Sequence, residues 1–204
     1  MTAILDCNIS FIGGGNMAQA LIGGLIARGL PATRITVSDP VEQVRQLLQE
    51  KDVQVTEDNV AAIQTADVVV FAVKPQVLAQ VLKPLNGLFA GKLVISIVAG
   101  AEISTISELL GTDQVVRVMP NTPALVQTGA HGLYATDAVA EKDRNLASQV
   151  LAATGLTIWV NTEAQIDAVT AVSGSGPAYF FYLMESMIRA GKNLGLDEKV
   201  ATEL

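Results

Sequence analysis

Short runs of consecutive apolar residues alternate along the chain with longer stretches in which apolar positions return every three or four residues. The runs predict strands over 8–12, 35–38, 53–55, 68–73, 93–97, 115–119, 129–134 and 157–160. Two of them, 68–73 and 93–98, are almost unbroken in their apolar character, as strands covered on both faces must be. The periodic stretches predict helices over 16–28, 40–50, 59–64, 76–85, 103–110 and 141–153. Asp39 before Pro40 reads as an N-cap with proline at the first helical position, and Asp58 as the cap of the third helix. Lys74-Pro75 forces an extended residue just ahead of the fourth. Alternation of this kind implies right-handed βαβ units: an α/β fold, a Rossmann-type, mainly parallel sheet with helices on both faces.

The pattern changes near Asn161. A helix is predicted over 163–172, broken by Ser173-Gly174-Ser175-Gly176-Pro177, then a long one from 178 to about 193. A further helix starts at Leu196-Asp197 and has no visible end at Leu204. The expected organisation is a Rossmann domain over 1–161 followed by the start of an all-α C-terminal domain over 162–204, truncated there. Without further helices to cover it, the 178–193 helix is expected to expose an apolar face suited to self-association.

Composition narrows the function. Among 204 residues the net charge is −7, which disfavours nucleic acid and anionic membranes as partners, since both require a basic surface. An anionic cofactor is still open, because backbone N–H groups and helix dipoles can hold one. One cysteine and one histidine exclude an intramolecular disulfide, make a cysteine-based metal site implausible, and disfavour the commonest Ser–His and Cys–His hydrolase mechanisms. No metal is expected. The opening MTAILDCNIS lacks a basic segment followed by a long apolar one, and no run of 18 apolar residues occurs, so a cytoplasmic protein without a membrane association is expected.

Phe11-Ile12-Gly13-Gly14-Gly15-Asn16-Met17-Ala18 follows a predicted strand and opens a predicted helix, the context a dinucleotide fingerprint requires. In this G-x-G-x-x-A spacing Gly13 makes the tight turn, Gly15 lets a pyrophosphate approach the backbone, and Ala18 allows close helix–strand packing. Asp39, ending the second strand, suits either a ribose hydroxyl of NAD(H) or the helix cap already described; Ser38 suits a 2′-phosphate of NADP(H) instead. Asn59 either reaches the adenosine ribose or simply begins a helix. Ala72-Val73-Lys74-Pro75 and Val98-Ala99-Gly100 leave two later strands at their carboxyl ends, where ligands of open α/β sheets lie. Lys74 is either a cation for an anionic ligand or a solvated surface lysine. Asn121 and Thr122, between two prolines, form a stiff polar turn fit to orient a nicotinamide amide or a substrate, or only to turn the chain. Ser173 and Ser175 belong either to an anion nest or to a kink between helices.

Taken together, the glycine turn, Ala72-Val73-Lys74-Pro75-Gln76, Arg117-Val118-Met119-Pro120-Asn121-Thr122-Pro123-Ala124-Leu125-Val126, Ile166-Asp167-Ala168-Val169-Thr170 and Val172-Ser173-Gly174-Ser175-Gly176-Pro177-Ala178-Tyr179 resemble the pyrroline-5-carboxylate reductase family, from residue 8 to the end. The resemblance implies reduction of 1-pyrroline-5-carboxylate to L-proline with NADP(H) or NAD(H), and a homodimer or higher homo-oligomer formed through C-terminal helices. It places Ile12, Gly13, Gly14, Gly15, Asn16, Met17, Ser38, Asn59, Ala72, Val73, Lys74, Pro75, Val98, Ala99 and Gly100 along the cofactor, and Glu163 near the substrate imine. Glu163 otherwise serves to complement the dipole of its own helix. No residue is assigned to catalysis, because a protonated imine needs proximity and orientation more than a strong acid. Another NAD(P)-dependent reductase on the same two-domain plan, or a non-catalytic nucleotide-binding fragment, are the alternatives.

Overall fold

The computed structural model describes residues 5–204; the reading of the first ten residues as carrying no signal peptide falls partly on 1–4, outside the described residues. Among the described residues eight strands form one sheet: β1 (Ile9–Ile12), β2 (Ile35–Ser38), β3 (Gln54–Thr56), β4 (Val68–Phe71), β5 (Leu93–Ser96), β6 (Val115–Met119), β7 (Gly129–Ala135) and β8 (Gly155–Trp159). Their order is β3-β2-β1-β4-β5-β6-β7-β8. Every pairing is parallel except β6 with β7, which the short Thr122–Val126 3₁₀ turn folds back antiparallel. The chain steps from β1 outward to β3, then resumes on the other side of β1 with β4. Ile12 therefore pairs with both Ser38 and Phe71, and the loops leaving β1 and β4 diverge. That divergence is the switch point at which open α/β sheets bind ligands.

The helices are α1 (Asn16–Ala27), α2 (Glu42–Gln49), α3 (Asn59–Ile63), α4 (Leu78–Leu82), α5 (Ile103–Leu110), α6 (Glu141–Ala152), α7 (Ala164–Val169), α8 (Gly176–Asn193) and α9 (Glu198–Glu203). Alternate side chains of each strand supply two cores, one on each face of the sheet. Phe11, Val68, Val70 and Val118 pack with Leu21 and Leu25 of α1 and Val150 of α6. Ile12, Val69, Phe71 and Val94 pack with Ile63, Leu82 and Ile106 of α3, α4 and α5.

Three predicted helices are corrected. The one placed at 40–50 begins at Glu42, so Pro40 is not its first residue and Asp39 is not its cap. The one placed at 76–85 is a single α turn between two 3₁₀ turns, Pro75–Val77 and Lys83–Leu85, the second containing Pro84, which has no N–H to extend the α ladder. The Ser173–Pro177 stretch does not break its helix either. α7 widens into a π-helical turn, Thr170–Gly174, closed by Ser175 N–H on Thr170 O at 2.8 Å, and α8 follows directly. In an α-helix Ser173 O would need an N–H from residue 177, which proline lacks. Asn121 Nδ2 donates to that carbonyl instead, at 3.1 Å. Among the described residues no helix is long and apolar enough to cross a membrane.

Candidate nucleotide-binding site

The three glycines after β1 do three different things. Gly13 has φ +99°, and a Cβ there would lie 2.7 Å from Ala72 O, so the close approach of the β1 and β4 loops requires glycine. Its N–H donates to Ser38 O at 2.8 Å, tying the turn to the end of β2. A Cβ on Gly14 would meet Val44 Cγ1 of α2 at 2.6 Å. A Cβ on Gly15 would meet nothing within 4 Å. The space beside Gly15 is open, and α1 starts there with no side-chain cap and no acidic residue in its first turn. Uncapped first-turn N–H groups at the positive end of a 12-residue helix beside open space make a cradle that fits a pyrophosphate.

Gly13 and Gly15, beside that cradle, line a cleft of about 670 Å³ along the carboxyl ends of the strands. Of the predicted cofactor residues, Ile12, Gly13, Gly15, Ser38, Asp39, Asn59, Ala72, Val73 and Lys74 line it. Pro75, Ala99 and Gly100 border a neighbouring cleft of about 270 Å³. Gly14 is packed against α2, Val98 is buried, and Asn16 and Met17 open α1 without lining either cleft.

Asp39 proves to be a brace. One carboxylate oxygen accepts from Gly14 N–H and the other from Val41 N–H, each at 2.8 Å, which explains why it does not cap α2. Ser38 Oγ donates to Asn59 Oδ1 at 2.7 Å, so these two side chains are already joined across the cleft floor. Asp58 caps α3 as expected, accepting from Val60 and Ala61 N–H. Lys74 is exposed at the cleft edge.

The polar turn after β6 packs beside α1. Asn121 is buried there with its amide occupied: Oδ1 accepts from Ala130 N–H at 2.8 Å and Nδ2 holds Ser173 O. Ser173 Oγ donates to Val169 O within its own helix. Thr122 is exposed and Ser175 half-buried. Glu163 stands at the start of α7 but makes no side-chain capping hydrogen bond to it. Its Oε1 accepts from Ile103 N–H, the first residue of α5, at 2.7 Å and from Arg117 Nη1 at 3.1 Å.

Arg117 opens one of the family-like runs named above but had no role assigned to it. Its side chain is 4% exposed, on the buried strand β6, and it reaches Asp167 Oδ1 at 2.9 Å as well as Glu163, pinning α7 to the sheet. The signal was present: an arginine between Val116 and Val118 in an otherwise apolar strand must find carboxylates. His131, also buried, lies with Nε2 3.0 Å from Thr154 Oγ1 and has no partner for Nδ1 among the described residues, and burial pushes its pKa down to about 4. Burial likewise pushes the Cys7 thiol up to about 11, so it is not a nucleophile at neutral pH.

Comparison with known proteins agrees with this geometry. Residues 8–100 match the family model described as NADP oxidoreductase coenzyme F420-dependent, and residues 163–204 match the one described as pyrroline-5-carboxylate reductase dimerisation. The pyrroline-5-carboxylate reductase of Haemophilus influenzae is 49% identical over 198 residues, which are 96% of this chain and 73% of that protein. The structure of the Coxiella burnetii reductase superposes with a TM-score of 0.91 at 42% identity, covering 97% of this chain and 75% of that one. A Plasmodium falciparum pyrroline carboxylate reductase with NADP bound superposes with a TM-score of 0.88 at 28% identity, covering 98% and 75%. The chain belongs to the pyrroline-5-carboxylate reductase family.

Proposed function

We propose that this chain reduces 1-pyrroline-5-carboxylate to L-proline, with NAD(P)H lying across the switch point in the cleft that begins at the glycine turn. The observation that carries the reading is the cradle itself: an uncapped helix N-terminus facing open space at Gly15, held in place by a turn that only Gly13 can make. When bound, the dinucleotide would supply a hydride to the carbon of the protonated C=N bond of the substrate, leaving the secondary amine and oxidised nicotinamide. The chain supplies the rest by positioning. First-turn N–H groups of α1 hold the pyrophosphate, Ser38 and Asn59 meet the adenosine ribose, and Ala72, Val73 and Lys74 flank the middle of the cofactor. Pro75, Ala99 and Gly100 continue the path towards the nicotinamide.

On the substrate side, Thr122 and Ser175 offer hydroxyls, while Asn121 and Ser173 hold the frame that carries them. Glu163 keeps Oε2 for a cationic ring nitrogen, its other oxygen being fixed by Arg117 and Ile103 N–H. The protein assembles with copies of itself through α7, α8 and α9, and works in the cytoplasm. The test is NADPH and NADH oxidation followed at 340 nm with 1-pyrroline-5-carboxylate added, and proline measured as product. Stoichiometric proline supports the reading; nucleotide that binds but is not oxidised in the presence of the imine would replace it with a binding role.

A further inference from the structure

The adenosine end of the cleft is acidic: Asp39, Glu57 and Asp58 all line it. Two of these carboxylates are committed to the fold. Asp39 uses both oxygens on the N–H groups of Gly14 and Val41, and Asp58 Oδ1 caps α3. Glu57 is free of such duties. Its carboxylate is 76% exposed and has one partner among the described residues, Arg45 of α2, at 3.7 Å. Arg45 is held from behind, Nη1 donating to Asp39 O at 2.7 Å, which leaves Nη2 aimed at Glu57 beside the cleft.

We propose that Glu57, by occupying Arg45, sets the discrimination between NADH and NADPH. A ribose with a free 2′-hydroxyl leaves the pair intact. A 2′-phosphate carries up to two negative charges and prefers the same guanidinium, so it must displace the carboxylate and then sit near it. The usual discriminating position, the acid at the end of the second strand, is spent here on bracing the glycine turn. The role passes to the next acid around the cleft that is not committed to the fold. This inference rests on the reading of the cleft as the dinucleotide site.

The test is titration of the chain with NADH and with NADPH, followed by the fluorescence of the bound nicotinamide, for the native protein, Glu57→Gln, and Glu57→Gln combined with Arg45→Gln. Glu57 is an exposed side chain, so its replacement leaves the fold intact. The expected result is that Glu57→Gln tightens NADPH about five-fold, as for a partly screened charge facing a dianion, and changes NADH less than about two-fold. The double variant is expected to lose that gain. NADPH and NADH affinities that move together, or neither moving, would overturn the role of Glu57, and a gain that survives loss of Arg45 would overturn the competition. If neither nucleotide binds the native chain, it is the reading of the cleft that fails.

Discussion

Gly13 and Gly15 stand two residues apart in the same turn, yet physical chemistry gives them opposite duties. At Gly13 a methyl group meets backbone, Ala72 O at 2.7 Å, with φ at +99°. Gly13→Ala is therefore expected to destabilise the fold by about 1–3 kcal/mol, read as a lower urea midpoint. At Gly15 a methyl group meets no other side chain or loop of the described residues within 4 Å. Gly15→Ala is expected to leave the midpoint within about 0.5 kcal/mol of native while weakening nucleotide binding at least about ten-fold, because the methyl fills the space meant for phosphate. A destabilised Gly15→Ala with unchanged nucleotide affinity would contradict this division. The sequence spacing alone already assigns both roles, because glycine is demanded by local geometry and a fingerprint records that geometry.

His131 makes a different residue-scale prediction. Its folded pKa is about 4 through burial, below the ordinary value of 6.5, so the unfolded chain binds the extra proton first as the pH falls. Its contribution is full above about pH 6.5 and is lost on acidification towards about pH 4. Between pH 7.5 and 5 the cost is on the order of 2 kcal/mol. His131→Gln is expected to flatten that slope in urea denaturation; an equally steep slope in the variant would assign the acid sensitivity to other groups.

At the scale of elements, Arg117 decides whether the C-terminal segment stays on the sheet. Its guanidinium joins β6 to two carboxylates of the α7 region, and Glu163 passes the tie on to the first N–H of α5. Asp167 is well exposed and contributes little after solvent screening; Glu163 is the partner that counts. Arg117→Leu is expected to cost about 2 kcal/mol and to speed proteolysis between β8 and α7, with Arg117→Lys intermediate. Proteolysis at the native rate would mean that apolar contacts alone dock α7. That Arg117 needs carboxylates was legible in the sequence, but which ones was not, because they lie 46 and 50 positions away, a separation that no periodicity reports. The elements were legible for the opposite reason. Strand runs such as 68–71 need only their own residues to be recognised, whereas the π turn depends on Asn121 reaching Ser173 O from another strand's loop.

For the whole molecule, the exposure of α8 sets the expectation. Tyr179, Phe180, Phe181, Tyr182, Leu183, Met184 and Met187 are all more than half exposed, an apolar surface that a lone chain in water does not keep bare. Sedimentation is expected to show a dimer or larger assembly, and Phe181→Glu to shift it towards monomer; a native monomer at micromolar concentration would contradict assembly through this helix. The Asp39 brace shows where reading at this scale stopped short. Its place at the end of the second strand was plain from the sequence, but its direction was set by Gly14 N–H, 25 residues away. Strand order and pairing put the glycine turn, the Ser38 side chain and the Ala72–Lys74 loop around one cleft, as the family resemblance implies.

Hydride delivery from this cleft to the C=N bond of 1-pyrroline-5-carboxylate can be read by isotope transfer. The chain is incubated with the imine and with NADPH deuterated at the transferable nicotinamide position, and the proline is analysed by mass spectrometry. One deuterium per proline is expected, at the former imine carbon, with a lower yield of labelled proline from Gly15→Ala at a nucleotide concentration that saturates only the native chain. Proline without the label, or no proline from a chain that demonstrably holds the nucleotide, would contradict it.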